Sequence, residues 1–506
     1  MTETDPAELE LARNRLEGIA EEMGDVLVST AYSPNIKERR DCSAAVFDAD
    51  GRCVAQAADV PVHLGAMPAS VSHAARLEPG EGEVVAVNDP FAGGTHLPDL
   101  TLVSPVFVDG RAGYVATRAH HADVGGTAPG SMPADSTSIH DEGVRIPPVR
   151  LVENGETNDA LLETFLANVR DPDERRADLR AQISANERGV SRLSGYVDEN
   201  GTGSFDALIR YAERRTRAEI TSLADGVGEA TERMDGGNGD DPRISVSVEV
   251  DGDELIVDFS GTSEEGDGNL NAPRAVAESA VGFVVRCVTS NDVPANAGSV
   301  APVGIRVPEG CLLDPEPPSA VAGGNVETSQ RVVDGVVEAL REATDVSLPA
   351  QGQGTMNSVT IGNDGFSYYE TVGGGGGATR ERDGTDGVHV GMTNTLNTPV
   401  EALEREYPLR VEEYALRDGS GGEGAHDGGD GIIRALVVLE GCSVSFLTDR
   451  RENPPRGAEG GDDGETGVNL VDGERVGGRA VVGVEPGTRV EIRTPGGGGY
   501  GEKEND

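Results

Sequence analysis

The sequence predicts an α+β chain built in several mixed layers, and three observations support that class. Apolar residues recur at helical spacing over residues 9–27, which indicates an N-terminal helix. Short apolar runs bounded by Gly, Pro, Asn and Asp follow, as in a β-rich region. A central segment returns to helical spacing, and beyond residue 350 short β-like runs alternate with glycine loops. The four predicted regions are 1–155, 156–235, 236–348 and 349–506.

The first region combines one helix with four predicted strands. The helix has a single apolar stripe, formed by Leu9, Ala12, Leu16, Ile19, Ala20, Met23 and Leu27. After Pro34 the predicted strands cover residues 44–47, 84–87, 100–107 and 114–117. The Asp-Gly pair at 109–110 predicts a tight turn, so the last two strands should form a hairpin.

The later regions differ in their local patterns. The second is helical, with an interruption at Pro172, and the glycine-rich stretch 236–242 predicts a loop and a boundary. A hairpin turning at 251–252 opens the third region, which also contains a predicted helix at 327–340. The last region is expected to be β-rich and rich in glycine loops.

The charge balance is strongly acidic. The 506 residues include 42 Lys and Arg against 89 Asp and Glu, a formal net charge of −47, and the lysines are Lys37 and Lys503 alone. Basic surfaces bind nucleic acids and anionic membranes, so this balance excludes both as partners. Neither lysine lies in a G-x-x-x-x-G-K-[ST] loop, which excludes a P-loop nucleotide site. Acid spread along the chain is typical of a protein that is soluble in brine, so we expect a halophilic source.

Cysteine use and hydropathy predict a soluble, cytoplasmic protein. Five cysteines without a C-x-x-C pair indicate neither a disulfide framework nor a zinc–thiolate site. The first ten residues, MTETDPAELE, are acidic and polar, unlike a secretory or transit peptide. An uncharged apolar run of about 18 residues, which a membrane-spanning helix would need, does not occur in the sequence.

Scarce histidines supply the strongest chemical signal. His96 and Asp99 are spaced H-x-x-D in a loop before a predicted strand, and His120 and His121 follow the next one. A hairpin returns its end beside its beginning, so His120 or His121 should lie near His96 and Asp99. Imidazole and carboxylate ligands suit Zn²⁺, Mn²⁺ or Fe²⁺. Because adjacent residues of a strand face opposite sides, only one of the two histidines need face a metal. A solvated polar loop with scattered histidines fits the spacing equally well.

Longer motifs carry a family resemblance over the chain from about residue 8 to 501. They resemble the hydantoinase B/5-oxoprolinase family, which also contains the large metal-bearing subunits of acetone and acetophenone carboxylases and of caprolactamase. The motifs are NDPFAGGTHLPDLTLVSPVF (88–107), HHADVGGTAPGSMP (120–133), EGVRIPP (142–148), AQISANERGVSRL (181–193), GNVETSQRVVDGVVEAL (324–340), YYETVGGGGGA (368–378), NTLNTPVEALEREYPL (394–409), GSGGEG (419–424) and TPGGGGYG (494–501).

The resemblance implies a division of labour between two subunits. Members pair with a hydantoinase A-type subunit of actin-like ATPase fold, which binds ATP and phosphorylates the amide or carbonyl substrate. The activated species then reacts at the metal of the B-type chain. The lack of a P-loop fits this division, because ATP belongs to the partner. Carried over residue by residue, the implied metal ligands are Asp41, His96, Asp99 and His121.

Other residues are candidates for orienting the ligands or moving protons. The family motifs suggest three of them: Asp89, His120 and Asp123. Glu142 could act similarly, although carboxylates that cap loops and a strand-end histidine facing solvent are an equally good explanation. The glycine runs 373–377 and 496–499 more often let chains approach tightly than hold phosphate. Asp427 stands where the family usually has an arginine, which leaves specificity and assembly open.

The leading hypothesis is therefore the metal-binding subunit of an ATP-dependent amidohydrolase of the N-methylhydantoinase/5-oxoprolinase type. Such an enzyme hydrolyses a cyclic amide, hydantoin-like or 5-oxoproline-like, after its phosphorylation in the partner. One alternative is a subunit of an ATP-dependent ketone carboxylase, for which 506 residues are short. Another is a non-catalytic scaffold of the ATPase subunit, which would have no need of clustered metal ligands.

Overall fold

The computed structural model describes residues 6–58, 60–236, 241–290 and 292–503. It contains helices and several sheets, which confirms the predicted α+β class. In these described ranges, two short 3-10 turns, Pro90–Ala92 and Pro129–Ser131, and one π-helical turn, Gly324–Thr328, accompany the α-helices. Within the described residues the helices are α1 (Pro6–Thr30), α2 (Pro34–Lys37), α3 (His63–Ala75), α4 (Ile139–Glu142), α5 (Asp159–Leu166), α6 (Pro172–Asn200), α7 (Gly203–Thr221), α8 (Arg274–Val288), α9 (Ser329–Ala343) and α10 (Val400–Glu406).

The strands form four sheets in the described ranges. They are β1 (Cys42–Asp48), β2 (Cys53–Ala58), β3 (Val84–Val87), β4 (Asp99–Phe107), β5 (Arg111–His120), β6 (Val149–Glu153), β7 (Glu156–Thr157), β8 (Gly226–Arg233), β9 (Arg243–Asp251), β10 (Glu254–Asp258), β11 (Val303–Arg306), β12 (Ser358–Gly362), β13 (Ser367–Glu370), β14 (Leu409–Arg417), β15 (Gly431–Val438), β16 (Cys442–Leu447), β17 (Val468–Val471), β18 (Glu474–Val476), β19 (Arg479–Val484) and β20 (Arg489–Arg493). Their orders are β2-β1-β5-β4-β3-β6-β7, β11-β10-β9-β8, β13-β12-β16-β19 and β14-β15-β20-β17-β18.

The first sheet is covered on both faces. Ala44 and Val46 of β1 pack in the apolar cluster of α1, whereas Ala45 and Phe47 pack in the cluster of α3. The predicted hairpin is confirmed, since β4 and β5 pair antiparallel with Asp99 opposite His120. Burial on both faces takes the ends of these two strands out of bulk water, so a polar group placed there needs a partner.

Two long helices pack against each other on this sheet. The predicted stripe of α1 is buried as expected, and α6 crosses it where Gly189 faces Met23. A Cβ on Gly189 would lie 2.3 Å from Met23 Sδ, so a larger residue there would require the Met23 side chain to move. The interruption predicted at Pro172 separates α5 from α6, and Pro172 occupies the first turn of α6, where proline is favoured. None of the described helices has the length and apolar character to cross a bilayer.

The second sheet carries the middle of the chain. Helices α8 and α9 contribute to its apolar cluster, and β8 pairs antiparallel with β9 from Gly226 to Arg233. The predicted boundary loop at 236–242 lies between these two paired strands. Its residues 237–240 lie outside the described residues.

The glycine runs near the C-terminus pack main chain against main chain. Gly375 and Gly376 donate their N–H groups to Pro495 and Thr385 carbonyls, and Gly497 donates to Gly429. A Cβ on Gly497 would lie 2.0 Å from the Gly376 carbonyl oxygen. These amides are already bonded within the protein, so the runs serve close approach of chains rather than anion binding.

Candidate metal centre

A loop and a hairpin position the three central side chains. His96 lies in the loop before β4, Asp99 begins β4, and His120 is the last residue of β5. The side chain of Asn88 shapes the loop by donating to the carbonyl of Leu97 and accepting from the N–H of Ile146. The hairpin register then brings Asp99 and His120 side by side.

Their ligand atoms converge. His96 Nε2 lies 3.0 Å and His120 Nδ1 lies 3.3 Å from Asp99 Oδ1, and all three atoms lie within 4.8 Å of one another. Neither His96 Nε2 nor Asp99 Oδ1 has a hydrogen-bond partner among the described residues, although both are buried. Two ligands held at about 2.1 Å from one ion lie about 3.0–3.4 Å apart at octahedral or tetrahedral angles. The residues therefore fit a divalent cation.

The surroundings keep Asp99 ionised. Burial alone would raise the pKa of Asp99, but the charge of His96 and contacts with His120 and His63 hold it well below its usual range. Thr95 Oγ1 donates to Asp99 Oδ2 at 2.6 Å, and His63 Nε2 lies 3.6 Å from the same oxygen. One carboxylate oxygen is thus oriented by the protein while the other is left to a ligand.

The two adjacent histidines face opposite sides, as expected at a strand end. His120 points to the cluster, and its ring stacks on Tyr369 with centroids 4.8 Å apart. His121 points toward α6, where its Nε2 lies 2.9 Å from Gln182 Oε1. Burial lowers the pKa of His121 to about 4, with Asp178 opposing the shift. The structure thus brings His120 and not His121, the family-implied ligand, to Asp99, because α6 covers the opposite face of the sheet.

Asp41 lies at the edge of the same site. Its carbonyl accepts a hydrogen bond from the His120 N–H at 3.0 Å, and its side chain lines the cavity next to the cluster. The preceding Arg39 is fully buried and donates to the carbonyl of Tyr369 and to Thr371 Oγ1. This segment therefore ties the first sheet to β13, which supplies the far wall of the site.

Two of the sequence-predicted carboxylates organise loops instead. Asp89 caps the 3-10 turn after it by accepting from the Phe91 N–H at 3.0 Å. Asp123 is fully buried, accepts from the Gly125 N–H at 2.9 Å and pairs with Arg170 at 3.0 Å. Each has its oxygens engaged away from the histidines, so neither is part of the cluster.

Glu142 is also held by its own set of donors. Its carboxylate accepts from Ser136 Oγ at 2.9 Å and from the N–H groups of Val321 and Ala322 at 3.0 and 2.9 Å. Burial raises the pKa of Glu142 to about 7, and these hydrogen bonds oppose the shift. The residue fastens the loop before α4 to the segment that precedes the π turn.

A cavity of about 20 Å³ lies beside the cluster. Its near wall contains Asp41, His63, His96, Asp99 and His120, and its far wall contains Asn325, Tyr369, Thr371, Thr393 and Thr395. The volume suffices for one water molecule. Sequence reasoning missed His63, although it is one of only eight histidines. Asn325 lies in the motif 324–340, to which the sequence assigned no role at the centre, and no local pattern marks Thr393. Both come from segments far along the chain.

Comparison with known proteins assigns the chain to a family. The model of the hydantoinase B/oxoprolinase family matches residues 5–503. The chain belongs to the hydantoinase B/oxoprolinase family. It is 42% identical to 5-oxoprolinase 1 of Arabidopsis thaliana, over 98% of this chain and 42% of that protein. It is 29% identical to a Pseudomonas protein named as a D-/L-hydantoinase subunit, over 98% of this chain and 90% of that protein. The chain thus spans about two fifths of the 5-oxoprolinases that it matches.

Solved structures share the fold of this family member. The ATP-dependent caprolactamase of Pseudomonas jessenii superposes with a TM-score of 0.91 at 27% identity, covering 99% of this chain and 91% of the other. Acetone carboxylase in its nucleotide-free form superposes with a TM-score of 0.88 at 16% identity, covering 99% of this chain and 76% of the other. The second likeness concerns the fold alone.

Proposed function

We propose that this chain is the metal-binding part of an ATP-dependent amidohydrolase that cleaves a cyclic amide, hydantoin-like or 5-oxoproline-like. The observation that carries the proposal is the convergence of His96, Asp99 and His120 on one buried point beside a small cavity. The family relatives named for 5-oxoproline and hydantoin, and the caprolactamase fold, support a cyclic amide as the substrate class.

The donor set defines what the centre would hold. Two imidazoles and a carboxylate, with Asp41 nearby as a further oxygen donor, suit Zn²⁺, Mn²⁺ or Fe²⁺. A divalent ion bound there supplies Lewis-acid chemistry, namely polarisation of an oxygen and a lower pKa for water. The protein's own part is to fix the ligands: Thr95 holds Asp99, and Tyr369 backs the ring of His120.

ATP is assigned to a partner. The sequence has no P-loop lysine, and the matched 5-oxoprolinases are more than twice as long as this chain. The Pseudomonas relative of similar length is named as one subunit of a hydantoinase. We therefore assign phosphorylation of the amide to a hydantoinase A-type ATPase subunit, with this chain hydrolysing the activated species.

Metal analysis tests the centre. Purified protein should contain a divalent ion, and His96→Ala and His120→Ala should each weaken its binding by about a hundredfold or more. His121→Asn should retain the ion, and His140→Ala, on the exposed side of α4, controls for loss of a histidine. Equal metal content in all four variants, with unfolding curves that show they are folded, would contradict the proposed ligands.

Activity tests the reaction class. The chain is combined with its co-purifying ATPase subunit, and ATP hydrolysis is measured with hydantoin, 5-oxoproline, other lactams, and ketones with bicarbonate. ATP hydrolysis stimulated by one of the cyclic amides, with ring opening, is the expected result. Bicarbonate-dependent turnover of a ketone would replace the hydrolase with a carboxylase, and no turnover with metal-loaded protein would favour a scaffold.

A further inference from the structure

Two side chains on the far wall of the cavity are buried without a partner. Asn325 and Thr393 are each 3% exposed. Asn325 Oδ1 and Thr393 Oγ1 have no hydrogen-bond partner within the described ranges. Leaving a buried polar atom unsatisfied destabilises a fold, so such an atom beside a cavity points to a water or a ligand that completes it. Both side chains line the cavity that also contains His96, Asp99 and His120.

Other amide and hydroxyl side chains near Asn325 and Thr393 have hydrogen-bond partners within the protein. Thr371 and Thr395, on the same wall, bond to each other at 2.8 Å and both accept from Arg39. Asn271, which packs against the start of the π turn, donates to three carbonyls and accepts from one N–H. On the near wall, His63, His96, Asp99 and His120 also keep unpartnered atoms, as expected of groups that face a ligand. Among the amide and hydroxyl side chains of the lining, Asn325 and Thr393 are the ones with an unpartnered oxygen in the described part of the chain.

Asn325 also occupies an unusual backbone. It lies in the π-helical turn Gly324–Thr328, a conformation that proteins use frequently at functional sites. The turn is firmly anchored: Gly324 donates to the Asn269 carbonyl, and Ser329 Oγ donates to the Asn325 carbonyl at 2.6 Å. A Cβ on Gly324 would lie 1.9 Å from the Asn271 carbonyl oxygen. The backbone of Asn325 is thus held in place, and the residue lines the cavity while its Oδ1 has no partner among the described residues.

The size of the cavity limits what it can hold. Its volume of about 20 Å³ is enough for one water molecule beside the metal ligands. A trapped water needs two to four polar partners. The near wall supplies the metal-binding groups, and the far wall supplies an amide oxygen and a hydroxyl. The rest of the lining is either apolar, as at Val326 and Met356, or bonded elsewhere, as at Thr371 and Thr395, so few groups compete for a water held there.

We propose that Asn325 and Thr393 bind and orient the water that attacks the activated amide. This inference rests on the proposed function. Asn325 Oδ1 accepts one hydrogen of the water, and Thr393 Oγ1 exchanges a second hydrogen bond with it. Both act as positioning residues, since a fixed water converts a random encounter into attack along one direction.

Crystal structures of the metal-loaded protein test the water site directly. A water should lie within hydrogen-bond distance of Asn325 Oδ1 and Thr393 Oγ1 in the wild type. It should persist in Thr393→Ser, which keeps the hydroxyl, and disappear in the double variant Asn325→Leu, Thr393→Val. A dry cavity in the wild type, or the same water in the double variant, would overturn the inference. This crystallographic test does not require any substrate.

The amount of amide cleaved per ATP hydrolysed, measured in the reconstituted complex, tests whether Asn325 and Thr393 position the water. Asn325→Leu and Thr393→Val should lower the amide cleaved per ATP hydrolysed by about tenfold to a hundredfold, with KM near the wild-type value. Thr393→Ser should recover most of the coupling. Thr398→Val is the matched control, because Thr398 is 4% exposed, has no Oγ1 partner in the described part of the chain and does not line the cavity. An equal loss in Thr398→Val, or a parallel fall in ATP hydrolysis and Tm, would refute positioning. A wild-type complex inactive on every cyclic amide would instead refute the proposed function.

Discussion

Replacing Glu142 with glutamine should change how stability depends on pH. Burial raises the pKa of Glu142 from 4.5 to about 7 in the folded chain. Between these pH values the folded protein keeps a proton that the unfolded chain releases, so the free energy of unfolding falls as pH rises. The stability gained from the protonated, buried Glu142 is fully present below pH 4.5 and is lost by about pH 7. One pKa unit corresponds to about 1.4 kcal/mol, so the whole shift is worth about 3 kcal/mol.

Glutamine stays neutral throughout and keeps an oxygen for Ser136 and Ala322. The difference in unfolding free energy, Glu142→Gln minus wild type, should therefore rise by about 1.4 kcal/mol per pH unit across this window. Urea unfolding at constant molar salt, from about pH 5 to about pH 7.5, measures it. Glu156→Gln, on an exposed strand, controls for the loss of one negative charge. A flat or falling difference curve would show that the hydrogen bonds to the carboxylate outweigh its burial, and would refute the reasoning.

Two further predictions concern glycines that permit close packing. Gly195→Ala, with no atom within 4 Å of the new Cβ, should stabilise the chain by about 0.5–1 kcal/mol through its better helix propensity. Gly189→Ala on the same helix should lose most of this gain, because the Met23 side chain has to move away from the new Cβ. Equal urea midpoints for the two variants would contradict the packing argument. Gly497→Ala should cost about 3 kcal/mol or more, because the clash is with main chain, while Gly483→Ala has open space around its Cβ. Thermal unfolding of the pair measures this, and matching Tm values would count against main-chain packing.

Local patterns were sufficient for the secondary structure near the centre. The apolar stripe predicted α1, and the Asp-Gly turn predicted the β4–β5 hairpin, because both depend on repeats of a few residues. The predicted helix at 327–340 covers only the last two residues of the π turn Gly324–Thr328, and no pattern predicts its first three. An i→i+5 turn has no period of its own in the sequence, so only packing against Asn269 and Asn271 reveals it.

The candidate metal centre, too, was predictable from local patterns in part and depended on long-range packing for the rest. Spacing predicted that His96 and Asp99 lie together and that one of two histidines returns to them, since a hairpin register follows from its turn. Which histidine returns was decided by α6, which covers one face of the sheet and engages His121. The far wall, with Asn325 and Thr393, joins segments more than 200 residues from His96. Strand and turn geometry is encoded among neighbours in the chain, whereas a cavity wall exists only once long-range burial has packed separate sheets together.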